Sequence, residues 1–152
     1  MLQDQITLKD RHKSFVKTIS ETGIVYALKN EDGYATSESN EIEDEDGYPV
    51  EIICFWSDKS IAKSCIKNEW SEYKVCELNL SEFLENWCVG MNNDGLIVGI
   101  NFDKSLFGYE VEPLYLILEI ISELNLQNKQ IEFKKFNGIK DLEIQVKEII
   151  KD

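Results

Sequence analysis

Residues 49–70 read PVEIICFWSDKSIAKSCIKNEW, and the change of residue type within that stretch decides the fold class. Val50, Ile52, Ile53, Cys54 and Phe55 are β-branched, apolar or aromatic, which suits a pleated strand packed on at least one face. The pattern breaks at Trp56-Ser57. Ser57 is placed to accept a hydrogen bond from a free amide of a first helical turn, and Asp58 follows where the helix dipole favours a negative charge. Ile61, Ala62, Cys65 and Ile66 share one face of a helix and Lys59, Lys63 and Lys67 the other, so the spacing predicts a helix ending near Asn68-Glu69-Trp70. Trp56 and Trp70 bracket it, and aromatics of this size supply much of a small core.

Upstream of that stretch, Leu8, His12, Phe15, Val16 and Ile19 form one apolar stripe. They predict a helix that starts after Thr7 or Asp10 and stops at Gly23. Ile24 to Lys29 (IVYALK) reads as a strand, and Asp32-Gly33 is a hairpin signal because glycine tolerates positive φ. Tyr34 to Glu38 is the expected returning strand. Beyond it SNEIEDEDGY reads as a loop too charged to pack.

Downstream, Tyr73 to Leu78 reads as a strand, and Ser81 as the cap of a helix whose apolar face is Phe83, Leu84, Trp87, Cys88 and Met91. Leu96 to Phe102 (LIVGINF) is apolar enough for a central strand, and Gly108 to Glu112 for a shorter partner. Pro113 opens a nearly all-apolar helix at the position where proline is tolerated. In the tail, Ile131 and Phe133 suggest a short edge strand, and Ile139, Leu142, Val146, Ile149 and Ile150 an amphipathic helix lying across the acidic body.

The chain of 152 residues is long enough to bury a sizeable core and is read as a single α+β domain over residues 1–152, a mainly antiparallel sheet flanked by amphipathic helices. Residues 125–152 form an extension packed on the body. No apolar run reaches the roughly 18 residues of a membrane helix, and MLQDQITLKDRHK lacks a charged-then-apolar signal pattern. A cytoplasmic location is therefore expected. Cys54, Cys65, Cys76 and Cys88 are spaced by 11, 11 and 12 residues, without the close pairs of a zinc site, and are read as reduced core thiols. The pattern calls for no metal and no cofactor.

The net charge is −13, with +2 on residues 1–20, +1 on residues 125–152, and hence −16 on residues 21–124. Such a middle disfavours nucleic acid, whose phosphates need clustered Lys and Arg, and favours a basic protein as partner. Between residues 38 and 51 there are seven carboxylates and no basic residue. A calcium loop around Asp44-Glu45-Asp46-Gly47 fails, because its first and twelfth positions fall on Ile42 and Ile53. The candidate binding residues are Glu41, Glu43, Asp44, Glu45 and Asp46, with Tyr34 and Tyr48 as aromatic anchors.

Two other readings compete. An enzyme would use His12, the one histidine, with Cys65 or Cys88, or a carboxylate pair in the acidic segment. The sequence supplies no orienting partner for His12, no phosphate-cradling loop and no nucleophile elbow. A small-ligand pocket would use Trp56, Trp70 and Trp87 as its walls.

Three segments carry a family resemblance: ALKNEDGYATSES, then FWSDKSIAKSCIKNEWSEYKVCELNLSEFLENW, then MNNDGLIVGINF followed by VEPLYL. Over residues 12–118 the chain resembles the uncharacterised bacterial family catalogued as domain of unknown function 2750. The resemblance implies a small bacterial α+β protein of unknown activity and transfers no catalytic residue. The acidic segment and the tail after Leu124 lie outside the shared motifs. The resulting expectation is a non-catalytic protein-binding module, in one form an immunity-type protein that masks a basic surface.

Overall fold

The computed structural model describes residues 2–151; the side chains of residues 2–7, 40 and 41 lie outside what is described. Among the described residues seven strands, β1 (Ile24–Asn30), β2 (Gly33–Tyr34), β3 (Thr36–Glu43), β4 (Pro49–Trp56), β5 (Lys74–Asn79), β6 (Ile97–Ile100) and β7 (Tyr109–Val111), form one sheet in the order β2-β1-β4-β6-β7, with β3 also on β4 and β5 also on β1. Pairings are antiparallel except β4 with β6, where Ile52 lies opposite Ile97 and Phe55 opposite Ile100.

Helix α1 (Leu2–Thr22) starts earlier than expected and ends where expected, with the Gly23 amide bonded to the Ile19 carbonyl at φ 74°. Strand β1 (Ile24–Asn30) turns on the Asn30 side chain, which accepts from the amides of Asp32 and Gly33. The returning strand differs from expectation. Only β2 (Gly33–Tyr34) pairs with β1. At Ala35 the chain crosses over: its amide donates to the Leu28 carbonyl and its own carbonyl accepts from the Cys54 amide. From there β3 (Thr36–Glu43) pairs with β4 (Pro49–Trp56). A small buried alanine suits the point where two strands splay apart.

The first half of the charged stretch is therefore strand rather than loop. Ile42 packs against the core, and the buried Ser39 hydroxyl donates to Glu110 Oε1 (2.5 Å) and accepts from the Ile42 amide (2.8 Å). The register shifts between Glu38 and Glu43, where five steps along β3 answer two along β4, so three extra residues bulge out of the ladder.

Side-chain alternation divides the core into two clusters, one on each face of the sheet. Val25, Ala27, Phe55, Val98 and Ile100 point to one face, beneath α1, α5 (Pro113–Leu126) and the helical segment Leu80–Asn93. Leu28, Ile52, Cys54, Trp56 and Ile97 point to the other, covered by the short helix α2 (Lys59–Ser64), Trp70 and Phe102. Strand β6 (Ile97–Ile100) is buried throughout. A Cβ on its Gly99 would come within 2.7 Å of Ile52 and 2.8 Å of Phe102, so only glycine fits. Strand β7 (Tyr109–Val111) follows as expected, and Pro113 opens α5 at its first turn.

Both expected serine caps move. The Ser57 amide is taken by Asn101 Oδ1 (2.9 Å), and Asp58 caps α2 by accepting from the Ser60 amide (2.8 Å) and hydroxyl (2.7 Å). Those bonds hold the Asp58 carboxyl below its ordinary range. After β5 (Lys74–Asn79), Asn79 rather than Ser81 caps the next helix through the Glu82 amide. The helix expected to reach Trp70 stops at Ser64; a single 3₁₀ turn, Asn68–Trp70, follows, and Ile61 is exposed rather than on a buried face.

The segment Leu80–Asn93 is α3 (Leu80–Glu82), a π-helical stretch (Phe83–Cys88) and α4 (Val89–Asn93). In the wider turn Glu85 is buried, and its carboxylate accepts from the amides of Lys134 and Lys135 at 3.0–3.2 Å. This corrects the strand expected at Ile131 and Phe133. The amides that follow it, of Lys134 and Lys135, bond to a buried carboxylate, and residues 131–138 form no strand. Helix α6 (Ile139–Lys151) forms as expected and packs on α5 through Ile139, Leu142 and Val146.

Candidate functional site

The β3–β4 hairpin carries the acidic residues, and its tip is built by one of them. Asp44 Oδ1 accepts from the amides of Asp46 (2.9 Å) and Tyr48 (3.0 Å), while the Asp44 amide donates to the Tyr48 carbonyl (2.8 Å). Gly47 closes the turn at φ 84°, a conformation that costs a residue with a side chain about 1–2 kcal/mol. Asp44 is thus a turn residue, and Glu43, Glu45 and Asp46 are the tip's outward carboxylates. Tyr48 is 69% exposed beside them. The Glu41 side chain lies outside those described.

Along the hairpin Glu38 stands directly opposite Glu51, a like-charge pairing that destabilises a sheet. Both line an open groove of about 620 Å³ with Glu69 of the 3₁₀ turn and with Leu106. Among the described residues no ion pair neutralises Glu38, Glu43, Glu45, Asp46, Glu51 or Glu69. Tyr34 does not join this surface. It packs edge-on against Trp87 at 4.4 Å between ring centres, and burial and then the Cys76 thiol push its hydroxyl above the ordinary range. The eight residues of β3, at about 3.3 Å each, put roughly 25 Å of chain between Tyr34 and the tip.

The structure supplies the partner for His12 that local sequence lacked. Nε2 lies 2.5 Å from Glu119 Oε2 of α5, and the ring stacks on Tyr109 at 4.2 Å. The histidine is only 5% exposed, and its Nδ1 is buried without a hydrogen-bond partner. A general base presents its free nitrogen to substrate; here that nitrogen faces the interior, and the pair joins α1 to α5. The four cysteines are divided between the two faces of the sheet, Cys54 and Cys65 in one cluster and Cys76 and Cys88 with the other. Cys65 Sγ lies 3.3 Å from the Phe102 carbonyl, and burial pushes all four thiols up, against thiolate formation.

The tryptophans do not share a pocket. Trp56 and Trp70 meet edge-on at 6.0 Å in one cluster, with the Trp56 indole N–H on the Phe102 carbonyl (2.8 Å), and Trp87 packs against the cluster on the other face. The sheet separates them.

Sequence reasoning passed over the turn Asp103–Phe107 and its clamp. Asp103 Oδ1 accepts from the amides of Ser105 (2.9 Å) and Phe107 (3.2 Å). Arg11 Nη1 donates to the carbonyls of Asn101 (3.2 Å) and Phe107 (2.8 Å) and lies 3.6 Å from Asp103 Oδ2. A signal was present: Asp-Lys-Ser-Leu-Phe repeats the aspartate and aromatic spacing of Asp-Glu-Asp-Gly-Tyr.

A family model described as "Protein of unknown function (DUF2750)" matches residues 12–120, and the chain belongs to that family. No curated protein and no solved structure matches the chain. The matched span contains the acidic hairpin, His12 and Glu119, and ends within α5. Among the described residues no helix is long and apolar enough to cross a membrane.

Proposed function

We propose that this protein is a non-catalytic binding module that takes a basic surface of another protein on the β3–β4 hairpin. The observation that carries the reading is the carboxylate pair Glu38 and Glu51, held directly opposite one another and open to a groove that Glu69 also lines. The fold bears that repulsion, and Lys or Arg side chains from a partner relieve it. Glu43, Glu45 and Asp46 extend the field to the tip, where Tyr48 offers an aromatic anchor of the kind that dominates interfaces. The same field repels nucleic-acid phosphates. Masking a basic toxin in the cytoplasm, as an immunity protein does, is one form of this reading. The closed Nδ1 of His12 and the raised thiols support binding over catalysis.

The test compares three proteins. One is wild type. The second has Glu38, Glu43, Glu45, Asp46, Glu51 and Glu69 changed to the amides, with Asp44 kept because it builds the turn. The third has six distant carboxylates neutralised instead: Glu21, Asp94, Glu112, Glu132, Glu148 and Glu77, all exposed. Wild type and control should retain the same basic protein from a lysate at low salt and release it at high salt. The hairpin variant should retain it at least about tenfold less. Equal loss in hairpin variant and control would reduce the reading to net charge.

A further inference from the structure

The Asp103–Phe107 turn gives Leu106 to the acidic groove but Asp103, Lys104 and Ser105 to a different cleft, of about 420 Å³, whose other walls include Arg11, Ile61 and Ser64. That cleft lies where the parallel strands β4 and β6 reach their carboxyl ends, and Ser57 and Asn101, the residues that follow them, are hydrogen-bonded to each other. The chain leaves β4 for α2 and then β5 on one edge of the sheet, and leaves β6 for β7 on the other. In open, mostly parallel α/β sheets such crevices bind small ligands; here the one parallel pair, β4 and β6, forms an end of that type within a mainly antiparallel sheet.

The charges in the cleft run against those of the rest of the molecule. Asp103 is committed: one oxygen holds two amides and the other faces Arg11. Arg11 spends only Nη1 on the protein, and among the described residues nothing accepts from its Nε or Nη2. The Nε–Nη2 edge is a fork that matches a carboxylate with two parallel hydrogen bonds. Lys104 adds a second cation without an ion-pair partner among the described residues, in a chain whose net charge is −13. The exposed Ile61 lines the cleft as an apolar wall. We propose that the cleft binds a small monocarboxylate, its oxyanion on the Nε–Nη2 edge of Arg11 and on Lys104, its short hydrocarbon part against Ile61. The one positive charge in excess there suits a monoanion, and the planar fork suits a carboxylate.

The probe is butyrate, titrated into ¹⁵N-labelled protein at constant ionic strength, with chloride and inorganic phosphate as comparisons. Saturable shifts are expected in the Arg11 side-chain N–H and in the amides of Asn101 to Ser105. Lys104→Gln, which leaves the turn's own hydrogen bonds intact, should weaken binding about three- to tenfold, as loss of one charge-assisted contact does. Arg11→Lys should abolish saturation while the Ser105 and Phe107 amides stay in place. Shifts that never saturate, shifts that chloride reproduces, butyrate binding unchanged in both variants, or binding of phosphate with butyrate inert would each overturn the assignment. The groove residues tested for protein binding are untouched by these variants, so either idea can fail alone.

Discussion

The tips at Asp44–Tyr48 and Asp103–Phe107 are the same five-residue turn made twice. In each, the aspartate Oδ1 accepts from the amides two and four residues on, and the aspartate amide donates to the aromatic carbonyl. In each, the fourth residue donates back to the aspartate carbonyl with positive φ, 84° at Gly47 and 60° at Leu106. In each, the fifth is an exposed aromatic. The difference lies in what holds them. The first has glycine at the left-handed position and needs no outside help. The second puts leucine there, in a conformation that bulky residues avoid, and is held from outside by Arg11 and by Leu106 packing against the Trp56 cluster. Strained backbone persists where its surroundings over-determine it. A turn made by local chemistry can project freely, as the acidic tip does; a turn made by tertiary contacts is fixed against the body and can form the wall of a cleft.

Breaking the second turn should cost most. Asp103→Ala frees two amides and leaves Arg11 without its ion pair, and should lower stability by about 2–3 kcal/mol in urea unfolding. The matching Asp44→Ala frees two exposed amides at a solvated tip and should cost about 1 kcal/mol. Equal losses at the two sites would erase the distinction. Arg11→Ala removes the clamp alone and should cost about 2 kcal/mol, with faster amide exchange across residues 103–107 and none of that change at residues 44–48. Gly47→Ala forces a side chain into positive φ and should cost about 1 kcal/mol, seen as fraying of the hairpin amides. Leu106→Gly should change stability least, within about 0.5 kcal/mol, because relief of strain offsets lost packing and a more flexible unfolded chain. A gain well above that would mean that the strained leucine contributes nothing to packing.

Much of the fold was legible because its causes are local. The β-branched and aromatic run of β4, the apolar run of β6 and Pro113 at the start of α5 match their reading, and α6 buries Ile139, Leu142 and Val146 of its stripe while Ile149 is exposed. The acidic stretch was misread as loop because its one apolar residue, Ile42, and its buried hydroxyl, Ser39, find partners far along the chain. The expected strand at Ile131 failed for a similar reason: its competitor was Glu85 on a π-helical turn, about fifty residues away. Of the candidate site, the carboxylates were legible, but the division of labour between Asp44 and its neighbours was not, since it depends on which backbone amides one carboxyl oxygen meets.

By itself, then, the sequence determined most of the element types, the apolar character of the central strands and the sign of the hairpin's field, because periodicity and charge are properties of neighbouring residues. Only the tertiary structure decided that β4 runs parallel to β6, that the strand after Tyr34 crosses from β1 to β4 at Ala35, that His12 meets Glu119 and that Arg11 clamps a turn more than ninety residues away. Those are pairings between distant positions, set by how two clusters pack on opposite faces of one sheet, and no local pattern encodes them.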